Sequence, residues 1–223
     1  MSKSILVVAA HPDDEVLGCG GTIAKHVSSG DTVTCVFMTN GESSRDEEFH
    51  EIETRKKSAV KASQILGCQN PIFFDFPDNK LDTVPILDLA KALESVSNGL
   101  NPQIIYSHSA SDLNVDHRRV LEAVLVSFRP QPNSECQAIY SFEILSATNW
   151  APKINPHFVP NYFVDIDHYF DKKMEALQQY IKEMHPPPHS RSVQNVEVRS
   201  KYLGSLVGLN KSEAFEILRK IDK

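Results

Sequence analysis

Five residues, His11-Pro12-Asp13-Asp14-Glu15, carry one imidazole and three carboxylates. They follow directly on Ile5-Leu6-Val7-Val8-Ala9-Ala10, an apolar run that reads as a buried strand. Charge at the end of a buried strand is expensive unless it finds a partner. A bound divalent metal is the partner that best accounts for it. His11 and Asp14 stand three residues apart at a strand-to-helix turn, so both can face one point, and Asp13 between them can meet a metal-bound water. A catalytic zinc commonly takes three protein ligands and keeps one position for water, whose pKa falls towards ~7. The third ligand must come from elsewhere. His117, in Asp112-Leu113-Asn114-Val115-Asp116-His117-Arg118-Arg119, is the candidate, against the plainer reading of a histidine on a helix face. The plain alternative for Asp13 and Asp14 is helix capping, which leaves His11 and Glu15 unexplained.

The elements that must position these residues alternate along the first half. Strands are predicted over Ile5–Ala10, Thr32–Met38, Pro71–Phe76 and Gln103–Ser107, and helices over Glu15–Ser29, Phe49–Leu66, Pro85–Val96 and from Val115 to Phe128. Gly30, Gly67 and Asn98-Gly99 mark helix ends. This order implies an α/β fold with a mostly parallel central sheet and helices on both faces, and ligands in such sheets bind beyond the carboxyl ends of the strands. His11, Asn40, Asp78 and the segment His108 to His117 all follow strands, so the unusual polar chemistry gathers at one sheet edge. In the second half, strands are expected at Gln137–Ile144 and Tyr162–Asp167. Helices are expected at Phe170–Glu183, Val193–Leu206 and Ser212–Ile221, with a proline-rich loop at Met184–His189.

The chain has 223 residues, room for a single domain over 1–223 with a full core. Its formal net charge of -6 argues against a general nucleic-acid or anionic-membrane binder. The four cysteines are scattered with no C-x-x-C, so a thiolate zinc site is not expected and a reducing compartment is the default. Asp13 and Asp14 arrive too early for a signal peptide, and no run approaches membrane-spanning length, so a cytoplasmic location is the expectation. Gly18, Gly20 and Gly21 do not fit dinucleotide-binding spacing and point instead to close helix packing. Adjacent Asp13 and Asp14 cannot flank a glycosidic bond at the separation a glycosidase needs.

His-Pro-Asp-Asp-Glu after the first strand, with the later Asp116-His117, resembles the PIG-L / LmbE-like family of zinc-dependent N-acetyl-sugar deacetylases. Gly18-Cys19-Gly20-Gly21-Thr22, Thr39-Asn40-Gly41, Arg55, Ala62, Leu66-Gly67, Phe76-Pro77-Asp78, Arg199 through Gly204 and Glu213-Ala214-Phe215 extend the likeness over most of the chain. The resemblance implies a Rossmann-like three-layer fold and removal of an acetyl group from an N-acetylated amino sugar or sugar conjugate. It places Zn2+, or another divalent metal, on His11, Asp14 and His117, with Asp13 as general base. It leaves room for a homo-oligomer. The family's second motif is usually His-Pro-Asp-His, whose first His serves as acid or oxyanion partner. Here Asn114-Val115-Asp116-His117 stands instead, and Ser58 occupies a helix position where the family tends to carry Glu. Asn114 can donate a hydrogen bond to an oxyanion but no imidazolium proton. His108 and His189 are the substitutes, and Asp13 can itself return a proton to the leaving amine.

Arg55 either grips a substrate hydroxyl or phosphate or pairs with acidic residues. Asp116 either orients a ligand or caps a helix, and Glu15 supports the turn. Trp150 can stack on a sugar ring. Substrate selection falls to loops around Ser43–His50 and Ser146–Phe158. The rival to a hydrolase is a sugar- or nucleotide-sugar-binding protein that kept the metal and lost turnover, a reading that Asn114 sustains. A nucleotide-binding dehydrogenase is opposed by the glycine spacing.

Overall fold

The computed structural model describes residues 2–41, 49–152 and 157–222, with backbone alone at 49 and 50. Parts of both expected selectivity loops, residues 43–48 and 153–156, lie outside the described residues. The strands are β1 (Ser4–Ala9), β2 (Thr32–Thr39), β3 (Ile72–Phe76), β4 (Ile104–His108), β5 (Ala138–Phe142), β6 (Tyr162–Asp165) and β7 (Ser212–Lys220). The helices are α1 (Asp14–Ser28), α2 (Phe49–Leu66), α3 (Ile86–Leu100), α4 (Val115–Ser127), α5 (Phe170–Gln178) and α6 (Val193–Ser205). The strands form one sheet in the order β3-β2-β1-β4-β5-β7-β6. β1 to β5 are mutually parallel, and β7 runs antiparallel to both β5 and β6.

Strand alternation divides the core into two layers. Ile5, Val7 and Ala9 point to the side covered by α1, α2, α5 and α6, whereas Leu6, Val8 and Ala10 point to the side covered by α3 and α4. The result is the expected three-layer α/β sandwich. β1 sits between β2 and β4, and the chain reverses its direction of sheet growth there. A crevice therefore opens beyond the carboxyl ends of β1 and β4.

Three expected elements differ. Ser212–Lys220 is a strand, not a helix, although Glu, Ala, Leu and Lys in it favour helix. The segment fills the slot between β5 and β6, setting Phe215 opposite both Phe142 and Tyr162, so the ladder and this packing override local propensity. α3 runs through Asn98-Gly99 to Leu100 and stops at Asn101, which takes the left-handed conformation and donates its N–H to Ser97 O. The helix expected over Phe170–Glu183 ends at Gln178 and is followed by a 3-10 turn at Ile181–Glu183.

α1 kinks at Cys19, whose φ of -149° and ψ of 23° are not helical. The Gly21 and Thr22 amides beyond the kink donate to Glu213 Oε1 and Oε2 of β7, at 2.9 and 2.7 Å. Lys173 Nζ of α5 completes the arrangement, donating to Glu213 Oε1 at 2.6 Å and to Leu17 O at 3.0 Å. A side chain on Gly18 would place its Cβ 2.4 Å from the Phe142 ring, and one on Gly21 would meet Ile166 at 2.8 Å, so these glycines serve close packing as their spacing suggested.

Glu213→Ala leaves the buried Lys173 ammonium without its carboxylate and should destabilise the fold by about 3–5 kcal/mol. Gly18→Ala should lose about 1–3 kcal/mol through overpacking, part of which Phe142→Leu in the same chain recovers. Urea unfolding of the variants measures both; a Glu213→Ala protein as stable as wild type would refute the role given to this pair.

Candidate metal centre

The turn after β1 is held from both neighbouring strands. Ala10 N–H donates to His108 Nε2 of β4 at 2.8 Å, and Ala10 O accepts from Thr39 N of β2 at 2.9 Å. His11 N–H then donates to Asp14 Oδ2 at 2.9 Å, closing a short loop across the turn. Asp13, in that loop, has φ of 134°, a conformation that L residues other than Asn and Asp seldom adopt. Glu15 stabilises the strained residue: its Oε2 accepts from Asp13 N at 3.0 Å while Oε1 accepts from Tyr180 Oη at 2.7 Å. Burial pushes the Glu15 carboxyl up to about 8 against these bonds. Glu15 thus supports the turn, as expected, and Tyr180 is a partner that the sequence did not reveal.

His11, Asp14 and His117 come together as their spacing and the resemblance predicted. His11 Nδ1 lies 3.2 Å from Asp14 Oδ2, and His117 Nε2 lies 3.3 Å from both Asp14 Oδ2 and His11 Nδ1. All three residues are buried, and one ligand atom from each can meet a common ion. His11, Asp78 and Asp116 form a second such group. Hydrogen bonding separates their roles. Asp116 already accepts from the amides of Asn79 at 2.6 Å and Leu81 at 3.0 Å, whereas Asp14 Oδ1 is buried with no partner. His11 presents Nδ1 to Asp14 and turns Nε2 to Asp78 Oδ1 at 3.0 Å and Asp116 Oδ2 at 3.2 Å. His117 likewise turns Nδ1 to Asp112 Oδ2 at 3.0 Å, and Asp112 is held by Thr148 Oγ1 at 2.6 Å and by Asn114 N at 2.8 Å. A carboxylate behind each imidazole is the arrangement that orients histidine towards a metal.

Electrostatics favour a cation at the same point. Burial lowers the affinity of His11 and His117 for a proton, yet Asp116, Asp14 and Asp78 raise His11 well above its usual range, and Asp14 with Asp112 pushes His117 up to about 9. Burial likewise opposes ionisation of Asp14, but His117 and His108 hold its carboxyl well below the usual range. A divalent ion replaces such protons when it binds. The orphaned Asp14 oxygen, two imidazoles and their carboxylate supports fit zinc or a similar divalent metal.

The other nominated residues each have partners of their own. Arg55 does not lie open to a substrate: Nε donates to Pro12 O at 3.0 Å, Nη1 meets Gly41 O at 3.1 Å and Glu183 at 3.0 Å, and Nη2 pairs with Asp13 Oδ2 at 3.2 Å. Of its two readings, pairing with acids is the one observed. His108 is wholly buried behind His117, stacked at 4.0 Å between ring centroids. Its Nε2 accepts the Ala10 amide, which leaves the proton on Nδ1, and burial together with His117 drives its pKa well down. That is a packing support for a ligand and a poor proton donor. Asn114 is the N-cap of α4, with Oδ1 accepting from Asp116 N at 2.8 Å and Nδ2 donating to Asn79 Oδ1 at 3.2 Å. His189 lies on the proline-rich loop between His185 and the half-exposed Trp150, and its Nδ1 accepts from Arg191 N at 3.0 Å.

Arg191 itself was missed. Its Nη1 donates to Asp13 Oδ2 at 3.1 Å, from a residue 178 positions away in the chain. Asp13 Oδ2 is thus clamped by two guanidinium groups, while Oδ1 is buried with no partner. Burial pushes Asp13 up to about 6 against the pull of both arginines.

Residues 6–128 match the family profile described as PIG-L, GlcNAc-PI de-N-acetylase. The chain belongs to the PIG-L family. Similar proteins include the uncharacterised deacetylase YaiS of Escherichia coli K12, 30% identical over 184 residues, covering 80% of this chain and 90% of that protein. A probable N-acetyl-α-D-glucosaminyl L-malate deacetylase 2 of Bacillus anthracis is 27% identical over 189 residues, covering 81% of each. The 4-oxalmesaconate hydratase of Pseudomonas putida is 31% identical over 201 residues, covering 79% of this chain and 72% of that protein. Among solved structures, the conserved protein TT1542 of Thermus thermophilus superposes with a TM-score of 0.78 at 25% identity, covering 99% of this chain and 97% of that one. The relatives named as N-acetylglucosaminyl deacetylases are amide hydrolases, and this PIG-L chain shares their fold.

Asp112→Asn and Asp78→Asn remove carboxylates behind the imidazoles without touching Asp14 or a ring. Each should weaken metal binding by about 10–100-fold, read from competition with a chelator. Unchanged affinity in both would detach these residues from the centre.

Proposed function

We propose that the protein hydrolyses the N-acetyl group of an amino sugar or sugar conjugate, using zinc or a similar divalent metal on His11, Asp14 and His117 and Asp13 as general base. The observation that carries this reading is the state of Asp13. Two arginines hold one carboxylate oxygen, the other is buried with no partner, and the neighbouring Asp14 has an orphaned oxygen of its own. One aspartate is thus left with a free acceptor beside another that completes a ligand set.

A metal bound there supplies Lewis acidity to the carbonyl and a water acidified towards neutrality. The remaining work belongs to the chain. Glu15 and the strained backbone fix Asp13 in place, and Arg55 with Arg191 orients its carboxylate so that Oδ1 can accept the proton of the attacking water. The same proton then passes to the departing nitrogen, and acetate and a free amine are released. Asp78, Asp116 and Asp112 keep the ligand imidazoles turned. An amino-sugar conjugate as substrate is supported by the relative named for N-acetylglucosaminyl malate. No helix among the described residues is long and apolar enough to cross a membrane.

The hydratase among the relatives favours one second reading, addition of water to an unsaturated carboxylic acid at the same centre. An acetate-release screen over free, nucleotide-linked and malate-linked N-acetyl sugars, run beside an absorbance assay of hydration, separates the two. The hydrolase reading expects acetate, retained metal but at least a 100-fold loss of kcat in Asp13→Asn (general-base catalysis contributes about 10²–10⁴-fold), and loss of metal in His117→Ala. Hydration without acetate release would replace the proposal, and sugar binding without either reaction would make this a binding protein.

A further inference from the structure

We propose that Arg191 is a catalytic residue that holds the acetyl oxygen as negative charge develops on it, replacing the imidazole absent from position 114. The inference rests on the hydrolytic reading above. Beside the Lewis acidity a metal would supply, a fixed donor at that oxygen adds stabilisation, because the charge develops in a site where water is scarce. The donors suggested by the sequence are each held by contacts of their own. Asn114 uses its carbonyl to cap α4 and its amide on Asn79. His108 is buried behind His117 with its Nε2 accepting a backbone amide. His189 accepts the Arg191 amide and packs between Trp150 and His185. Arg55 is enclosed by Pro12, Gly41, Glu183 and Asp13.

Unlike Asn114, His108 and His189, Arg191 places a guanidinium directly on the proposed base. Its side chain is 17% exposed, whereas that of Asp13, which it contacts, is 1% exposed. Nε is anchored on Leu145 O at 3.3 Å and Ser146 Oγ at 3.1 Å, and Nη1 on Asp13 Oδ2 at 3.1 Å, whereas Nη2 makes no hydrogen bond among the described residues. The backbone is tied as well: Arg191 O accepts from His185 N at 3.0 Å and Arg191 N donates to His189. A guanidinium is planar and rigid, so anchoring Nε and Nη1 fixes the direction of the uncommitted Nη2 protons. The donor is therefore preorganised and shares its guanidinium with a hydrogen bond to the proposed base. Its charge is permanent, so it stabilises the oxyanion without giving up a proton.

In the step, the water oxygen bonds to the acetyl carbon, its proton passes to Asp13 Oδ1, and the carbonyl π pair moves onto oxygen, where Arg191 donates. The pair then returns, the C–N bond breaks with its electrons going to nitrogen, and the proton on Asp13 follows them. The remaining hydroxyl proton is lost to solvent, leaving acetate and the amine.

The test uses the metal-loaded protein with Arg191→Lys, Arg191→Gln and Arg191→Ala, each checked for metal content and melting temperature. The expected result in Arg191→Ala and Arg191→Gln is a fall in kcat of about 10²–10³-fold with a much smaller change in KM, a milder loss in Arg191→Lys, and partial recovery of Arg191→Ala on adding guanidinium ion. Methylphosphonate, a tetrahedral anion, should raise the melting temperature of the wild type and not of Arg191→Ala. Wild-type kcat in Arg191→Ala overturns the proposal, and so does equal stabilisation of both proteins by methylphosphonate. Lost activity with lowered melting temperature and no guanidinium recovery assigns Arg191 to structure instead. If Arg191→Ala does not fold, Arg191→Lys and Arg191→Gln carry the comparison. A wild type that releases no acetate counts against the hydrolytic reading, and the methylphosphonate shift then judges Arg191 by itself.

Discussion

Carboxylates and imidazoles lie out of water at the carboxyl end of the sheet, each within hydrogen-bond distance of the next, and the surrounding structure is organised around their charge. Asp14 faces His11 and His117, Asp78 and Asp116 stand behind His11, and Asp112 stands behind His117. In a medium that screens poorly, such a cluster persists only if every charge has a fixed partner. Backbone amides from the Asn79–Leu81 turn supply part of that, capping Asp116, and the Thr148 hydroxyl supplies another part on Asp112. What remains is an excess of acceptors, which fits a divalent cation better than it fits protons.

The same constraint explains why α1 is built as it is. The chain turns sharply out of β1 so that Asp13 meets Arg55 and Arg191 while Asp14 meets His11 and His117, and Asp13 takes a left-handed conformation there. Strain of this kind persists only where the surroundings hold it in place; here Glu15, Arg55 and Arg191 do so from three directions. Further along, the kink at Cys19 exposes amides that Glu213 covers from β7, with Lys173 balancing its charge. Close contact of Gly18 with Phe142, whose ring meets His108 edge-on, links this packing to the back of the His11, Asp14 and His117 cluster.

Much of the fold was legible because the first half is locally consistent. Apolar runs, helical spacing and turn residues pointed to the same elements, and the observed boundaries of α2 match the expected ones, although Asn98-Gly99 did not end α3. The other failures share one cause. Ser212–Lys220 has helical propensity, but its place in the sheet depends on β5 and β6, which it meets 70 or more and about 50 residues away. Arg55 was recognised as a residue of interest, yet its role depended on where Glu183 and Asp13 would lie. The 3-10 turn after α5, which positions Tyr180 and Glu183, had no signal beyond a run that continued the helical pattern.

The sequence by itself determined the local chemistry. His11 and Asp14 are three residues apart at the end of a buried strand, so their convergence follows from backbone geometry, and their place after the carboxyl end of β1 dictates which edge they occupy. Tertiary structure decided everything that relies on distant partners. It turned His108 into a buried support, set the Asn114 amide on Asn79, and brought Arg191 onto Asp13 across 178 residues. The physical reason is that a side chain's chemistry depends on its solvation and its hydrogen-bond partners. For residues far apart in sequence, both are set only when the helices pack and the sheet closes around the turn.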